Sequence, residues 1–379
     1  MKLKIRKMKT RGFDFKIVTL KTHLLNLFFL LTIIGCNKQE ESTITEPETT
    51  NSELISAVDI SRYPEILKTT PTFYNLDNQE DNFLNILKDN GVNTIRLRLW
   101  VDPENEHSGF QEVKGFSENL KDLGFKVWLT LHYSDTWADP GSQVTPQRWQ
   151  NIGFTKLKDS IQQYTKKVME QINPEIVQIG NEVNSGMLHP EGNINNNQQQ
   201  FIELLDASIQ MVRENAAETK IMIHYAGLNG ATSFYNKVAN LDYDIIGLSY
   251  YPIWHGKDLE ALKNKIDELG NHNGKEVIIA ETAYPFTLDW NDWTNNIVGL
   301  EDQLLPVYGA SPQGQKAFIK RIKNILFEEA NQGLGFCYWG GELIAWKGTQ
   351  SENASPWENQ ALFNFENKAL PVLEEFRID

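Results

Sequence analysis

The chain is poor in cysteine and in positive charge. Two cysteines in 379 residues, Cys36 and Cys337, exclude a disulfide scaffold and any zinc or iron–sulfur centre built on thiolates. Lys and Arg number 36 against 50 Asp and Glu, giving a formal net charge of −14. An extended phosphate backbone would be repelled by such a surface, so nucleic acid is not an expected partner. No Gly-rich phosphate-binding fingerprint follows any strand candidate, and neither an H-x-H pair at the first strand end nor an H-E-x-x-H helix occurs. Nucleotide chemistry and zinc hydrolysis therefore lose their usual sequence marks. What remains is the composition of a packed globular protein, 40% hydrophobic and 23% charged.

The N-terminal region stands apart from the rest. Lys2, Lys4, Arg6, Lys7, Lys9, Arg11, Lys16 and Lys21 precede the apolar run Leu24–Ile34. At eleven residues this run is too short to span the ~30 Å of a bilayer core as a stable anchor, and it has the form of an export signal. It closes on Ile33-Ile34-Gly35-Cys36, which resembles the lipobox of bacterial lipoproteins, where the cysteine becomes the lipidated first residue. Residues 1–35 are thus expected to be a signal peptide. Residues 36–53, polar and rich in Thr and Glu, have the composition of a tether. Cleavage would remove eight basic residues and leave a still more acidic chain. Residues 54–379 contain no second linker and read as one domain of about 325 residues.

Within that domain, short β-rich runs alternate with segments of helical periodicity. The strand candidates are 55–59, 94–99, 126–131, 176–179, 220–224, 245–249, 276–280 and 334–338. Helix candidates include 81–90, 156–172, 198–215, 259–269 and 313–332. Eight alternations predict an α/β fold of the (β/α)8 TIM-barrel type, with its active site at the C-terminal ends of the strands. Polar residues do collect there. Asp59 closes the first run, Arg96 and Arg98 lie near the end of the second, and Gly180-Asn181-Glu182, Tyr250-Tyr251 and Glu281 follow the fourth, sixth and seventh.

Two carboxylates with aromatic walls are what glycoside hydrolysis requires. One acid protonates the leaving oxygen and the other supports positive charge at the anomeric carbon. Glu182 and Glu281 are the natural pair, since each lies just beyond a strongly apolar strand and strands four and seven face one another across a barrel mouth. A spacing of ~5–5.5 Å would make the enzyme a retaining one.

Four longer strings carry a family resemblance. Gly91–Pro103 (GVNTIRLRLWVDP), His132–Pro140 (HYSDTWADP), Ile179–Asn184 (IGNEVN) and Trp357–Phe363 (WENQALF) resemble glycoside hydrolase family 53, the endo-β-1,4-galactanases, within the large clan of retaining (β/α)8 glycosidases. The resemblance runs from about Ala57 to the C-terminus. It implies that Glu182 is the acid/base and Glu281 the nucleophile, with Arg96 the cation beside it, although Arg98 points to the same side of the strand. It further implies that Tyr250 hydrogen-bonds the nucleophile and that Asn181 donates to the sugar 2-hydroxyl. His132 would orient neighbours or touch the sugar. Asp135 and Trp137 would line the cleft with Trp100, Trp254 and Trp339, the last as the main sugar platform.

The oxygen-bearing side chains of Asp289, Asn291 and Asn295 alternate as in a calcium loop, with Trp293 interrupting the series. Some relatives carry structural calcium near this place. A calcium here would steady a loop and take no part in bond cleavage, and no catalytic cofactor is expected. With the substrate that the resemblance implies, the expectation is a monomeric, lipid-anchored enzyme of the cell envelope, in the bacterial outer membrane, acting on the neutral galactan side chains of pectin. Two rivals stand beside it. One is a metal-dependent hydrolase drawing on His132, His189, His224 and His255. The other is a glycan-binding lipoprotein that has lost activity, against which the opposed carboxylates argue.

Overall fold

The computed structural model describes residues 53–378. The proposed signal peptide, Cys36 and almost all of the tether lie outside that range. Eight parallel strands close into a barrel: β1 (Ile55–Asp59), β2 (Thr94–Leu99), β3 (Lys126–Leu131), β4 (Ile176–Ile179), β5 (Lys220–Ala226), β6 (Ile245–Ser249), β7 (Glu276–Thr282) and β8 (Gly333–Trp339). Each pairs with its neighbour in sequence, and β8 closes on β1. The TIM-barrel expectation holds, and five strands have the bounds expected from sequence. The exceptions are β5 and β7, two residues longer at their C-terminal ends, and β8, one longer at each end.

Helices wrap the barrel wherever an amphipathic stripe meets a strand's outer face. They are α1 (Phe83–Asp89), α2 (Phe110–Asp122), α3 (Phe154–Gln171), α4 (Gln198–Asn215), α5 (Ala231–Val238), α6 (Leu259–Asn273) and α7 (Pro312–Asn324). Their ends follow local chemistry. The Asn82 side chain accepts from Leu84 N at the start of α1, and Asp258 accepts from Glu260 N and Ala261 N at the start of α6. The last helix was expected to run to Gln332. It stops at Asn324 and passes into a π-helical turn, Ile325–Glu329, before β8.

Alternation along each strand divides two cores. Ile95, Leu97, Leu99, Val127, Leu129, Val177, Ile179, Ile246 and Leu248 point outward into the layer between barrel and helices. Ala57, Trp128, Ile176, Met222, Ile245, Ile278 and Cys337 fill the barrel itself. Above this apolar plug the same inward faces turn polar: Asp59, Arg96, Gln178, His224 and Ser249 are all fully or almost fully buried. The Arg96 guanidinium lies 5.5 Å from the Trp128 ring centroid, so the largest apolar side chain in the barrel is the floor on which the buried cation rests.

One irregularity decides where the seventh strand delivers its acid. Val277 and Ile279 face outward, while Ile278 and Ala280 face inward, so strict alternation would send Glu281 outward. The register between β6 and β7 shifts here: Leu248 opposes Ile279, but Ser249 opposes Glu281. Ala280 is the extra residue of a bulge, and the next side chain is turned back into the barrel mouth.

Candidate active site

The barrel mouth opens into a cleft of about 750 Å³ whose lining includes Asn181, Glu182, Tyr251, Glu281, Trp339 and Trp357. The two expected carboxylates meet there. One oxygen of Glu182, one of Glu281 and a ring nitrogen of His224 all lie within 4.8 Å of one another. Such closeness matches the short carboxyl separation of a retaining enzyme and not the wider one of an inverting enzyme.

Glu281 is held on both oxygens. Arg96 Nη2 lies 2.8 Å from Oε1, and the Tyr251 hydroxyl donates to Oε2 at 3.1 Å. Arg96 is thereby separated from Arg98. The latter's guanidinium sits 4.5 Å from the Trp100 ring centroid and 4.1 Å from that of Trp137, with Ser108 and His107 at its nitrogens. Arg96 also binds Asp59 at 2.8 Å and the Asn181 side-chain oxygen at 2.9 Å. Burial pushes the Glu281 carboxyl upward and the Arg96 guanidinium opposes this.

Glu182 has no such cation bonded to it. It sits on a tight turn after β4: Gly180 has φ of +75°, and a Cβ there would come within 2.5 Å of Val183. Glu182 itself has φ of +46°, a left-handed conformation uncommon for a non-glycine residue and of the kind stored at functional sites. Burial, and after it the charge of Glu281, push its carboxyl up to about 8. Of the two acids Glu281 ionises first, because only it is ion-paired.

Several expected residues take other places. Tyr250 does not reach the nucleophile position; its hydroxyl donates to Gly256 O at 2.8 Å, and the neighbouring Tyr251 fills the role assigned to it. The alternation that buries Ile246 and Leu248 on the helix side sends Tyr250 there too. His132 lies beneath the cleft: its Nδ1 accepts from Ala138 N, and burial followed by Arg98 and Arg96 holds the ring well below 6.5 and hence neutral. Asp135 is not on the cleft wall either. Its carboxylate accepts from Asp102 N and Gln147 N and so ties two loops together. Trp100 braces Trp137 edge-on, with centroids 5.8 Å apart, instead of meeting the cleft. Trp137, Trp254 and Trp339 do line it, joined by Trp357, whose ring lies 4.7 Å from Trp339 and 6.1 Å from Trp254. Asn181 lines it as well, with one side-chain N–H donated to Ala138 O.

Sequence reasoning missed Tyr251, Gln178, Ser249 and the polar role of His224. Only the tyrosine doublet after β6 signalled any of them. The metal-hydrolase rival fails at His224, because both ring nitrogens face protein groups: Nδ1 lies 2.9 Å from the Gln178 side-chain nitrogen and Nε2 2.9 Å from Ser249 Oγ.

The calcium series is also redistributed. Asp289 and Asn295 are exposed, and the Asn291 side chain donates to Phe365 O. The buried acids on this loop and the one facing it are Asp292 and Glu358, each with one carboxyl oxygen lacking a partner. Glu358 Oε1 accepts from the backbone of Asn291 and Asp292.

Residues 55–376 match the family model described as glycosyl hydrolase family 53. The chain belongs to this family. A relative, the arabinogalactan endo-β-1,4-galactanase of Cellvibrio japonicus, is 32% identical over 352 residues, covering 87% of this chain and 92% of its own length. The family 53 catalytic domain of Ignisphaera aggregans superposes with a TM-score of 0.81 at 37% identity, over 86% of this chain and 96% of that one. A fungal β-1,4-galactanase structure superposes with a TM-score of 0.74 at 26% identity, over 85% and 98%. The chain is therefore a family 53 glycoside hydrolase on a (β/α)8 barrel, of a family that needs no catalytic cofactor.

Another buried acid outside the pair is also strongly raised. Glu342, after β8, accepts from Arg62 N through Oε1 while Oε2 has no partner, and burial with the nearby Asp59 pushes it up to about 8. A carboxyl raised on folding stabilises the fold fully below its unfolded pKa of about 4.5 and loses that contribution as pH rises through about 8. Glu342→Gln, which cannot ionise, is expected to melt higher than the wild type at pH about 8.5 and to lose that advantage near pH about 5, as read by thermal unfolding at both pH values.

Proposed function

We propose that this enzyme is a retaining endo-β-1,4-galactanase that cuts the neutral galactan side chains of pectin to galacto-oligosaccharides. The observation that carries the mechanism is the asymmetric pair: Glu281 held by Arg96 and Tyr251, and Glu182 opposite it, raised and without a cation. Family membership and the galactanase relative supply the substrate.

In the first step a Glu281 oxygen attacks the anomeric carbon as the glycosidic C–O bond breaks, and Glu182 gives its proton to the departing oxygen. The product is a galactosyl ester on Glu281. Glu182, now ionised, takes a proton from water; the water oxygen bonds the anomeric carbon, the ester bond breaks, and Glu281 returns as a carboxylate. Asn181, with one amide hydrogen on Ala138 O, would donate the other to the sugar 2-hydroxyl. Trp137, Trp254, Trp339 and Trp357 offer ring faces to the apolar sides of the pyranoses. The net negative charge favours galactan over charged polygalacturonan.

We assign the Asp292 and Glu358 oxygens, not those of Asp289, Asn291 and Asn295, to a structural calcium joining the loops after β7 and β8. Two buried carboxylate oxygens without partners are donors that a hard cation takes. Export, lipidation at Cys36 and tethering of a monomer to the cell envelope complete the reading, supported by the basic region, the short apolar run and the lipobox-like ending.

Purified residues 37–379 should release short galacto-oligosaccharides from linear β-1,4-galactan with or without EDTA. Glu281→Gln should lower kcat on the order of 10⁴-fold. Cleavage of another β-glycan in place of galactan would keep the mechanism and remove the specificity; binding without cleavage of any glycan would favour the non-catalytic lipoprotein. Tyr251→Phe should lower kcat by about 10²-fold, and Tyr250→Phe by no more than about threefold, a contrast that steady-state kinetics resolves. Calcium should raise the melting temperature of the EDTA-treated protein by several degrees, and Asp292→Asn should abolish that rise.

A further inference from the structure

The polar groups above Trp128 form a chain whose hydrogen-bond directions can be read from one end. Arg96 has only donors, and its Nε and Nη2 lie 3.3 and 3.2 Å from Gln178 Oε1, which also receives Thr130 Oγ1 at 3.3 Å. The atom facing the guanidinium is therefore the amide oxygen. This turns the Gln178 nitrogen, a donor only, toward His224 Nδ1 at 2.9 Å, with Asn181 Oδ1 and Gly180 O, each at 3.0 Å, sharing its two hydrogens. The backbone N–H of Glu182 points at the same ring nitrogen from 3.4 Å. Asn181 Oδ1, 3.2 Å from Nδ1, would favour a proton there, but that oxygen is already satisfied by Arg96 and Gln178, and a proton on Nδ1 would confront two donors. Nδ1 accepts, and the hydrogen of the neutral ring sits on Nε2.

The direction then carries through to the catalytic carboxyl. His224 Nε2 donates to Ser249 Oγ at 2.9 Å, and the serine hydrogen is left to go to Glu182 Oε1 at 2.5 Å. Oε1 is thus an obligate acceptor. The carboxyl proton belongs on Oε2, which bonds no described residue.

We propose that Gln178, His224 and Ser249 are positioning residues that form a one-way hydrogen-bond relay from Arg96, the cation holding Glu281, to Glu182, and that this relay assigns the transferable proton of Glu182 to Oε2. The inference rests on the retaining-glycosidase reading of the pair. His224 and Ser249 are wholly buried, so no solvent competes with the relay. The charged groups facing Glu182 are Glu281 from β7, Arg96 from β2 and Asp139 from the loop after β3. The titratable groups facing His224 are Arg96, His132 and His255, together with Glu182 and Glu281, each with an oxygen within 4.8 Å of a ring nitrogen. Burial, with Arg96 next, keeps the His224 ring well below 6.5, so the relay does not reverse by protonation in the working range.

Two measurements test it. In ¹⁵N NMR of histidine-labelled wild-type protein, His224 should be the Nε2–H tautomer without titration between pH about 5 and 9; an Nδ1–H tautomer or an imidazolium overturns the relay. In Ser249→Ala the carboxylate form of Glu182 loses a donor, so the alkaline limb of kcat/KM on galactan should move up by about one pH unit while kcat falls by about tenfold. A variant with wild-type melting temperature, reduced activity and an unmoved limb would show a merely structural serine and overturn the proposal. If the variant does not fold, the tautomer decides alone. Failure of the wild type to cleave galactan would fall on the functional reading, whereas the tautomer is read without substrate.

Discussion

A guanidinium buried inside the barrel is the constraint on which the rest of the site depends. Arg96 is 2% exposed, and a cation so placed must have every donor met by an acceptor or an anion. Asp59 and Glu281 supply the charge, Gln178 and Asn181 the neutral oxygens, and Trp128 the floor. The partners come from β1, β3, β4 and its end, and β7, so the closed sheet is what brings them together. Arg96, which cannot shed its own charge, opposes the upward push of burial on Glu281.

The opposite acid is defined by what it lacks. Glu182 shares the low-dielectric mouth with Glu281 but receives only the Ser249 hydroxyl, and its carboxyl rises accordingly. Identical side chains within 4.8 Å thus acquire different protonation behaviour from position alone. The aromatic arc of Trp137, Trp339, Trp357 and Trp254 surrounds this polar point with surfaces suited to sugar faces.

The barrel was legible in the sequence because fully buried parallel strands leave dense apolar runs bounded by polar residues, and five strand bounds follow from those runs. Glu182 and Glu281 were legible from their places at strand ends. Tyr251 was not separable from Tyr250, because choosing between them requires the outward phase of Ile246 and Leu248 to continue past the strand end. Asp135 and Trp100 sit in family-like strings, yet a carboxylate that accepts two backbone N–H groups has the same sequence appearance as one facing a ligand. Gln178, His224 and Ser249 left almost no mark. A polar residue at an inward position gains its meaning only from neighbours on other strands, and those contacts span 25 to 82 positions of sequence.

The bulge at Ala280 gives chain length a role separate from residue identity. With Val277 and Ile279 outward, the seventh strand keeps its apolar rhythm for packing against the helices, and one surplus residue changes phase just before the acid. The strand therefore serves two clients, a helix layer below the change and a reactive cleft above it. A substitution screen would leave this arrangement largely invisible, since alanine at the bulge contributes no chemistry. An indel at the same place would reverse the facing of the glutamate without altering a single functional group.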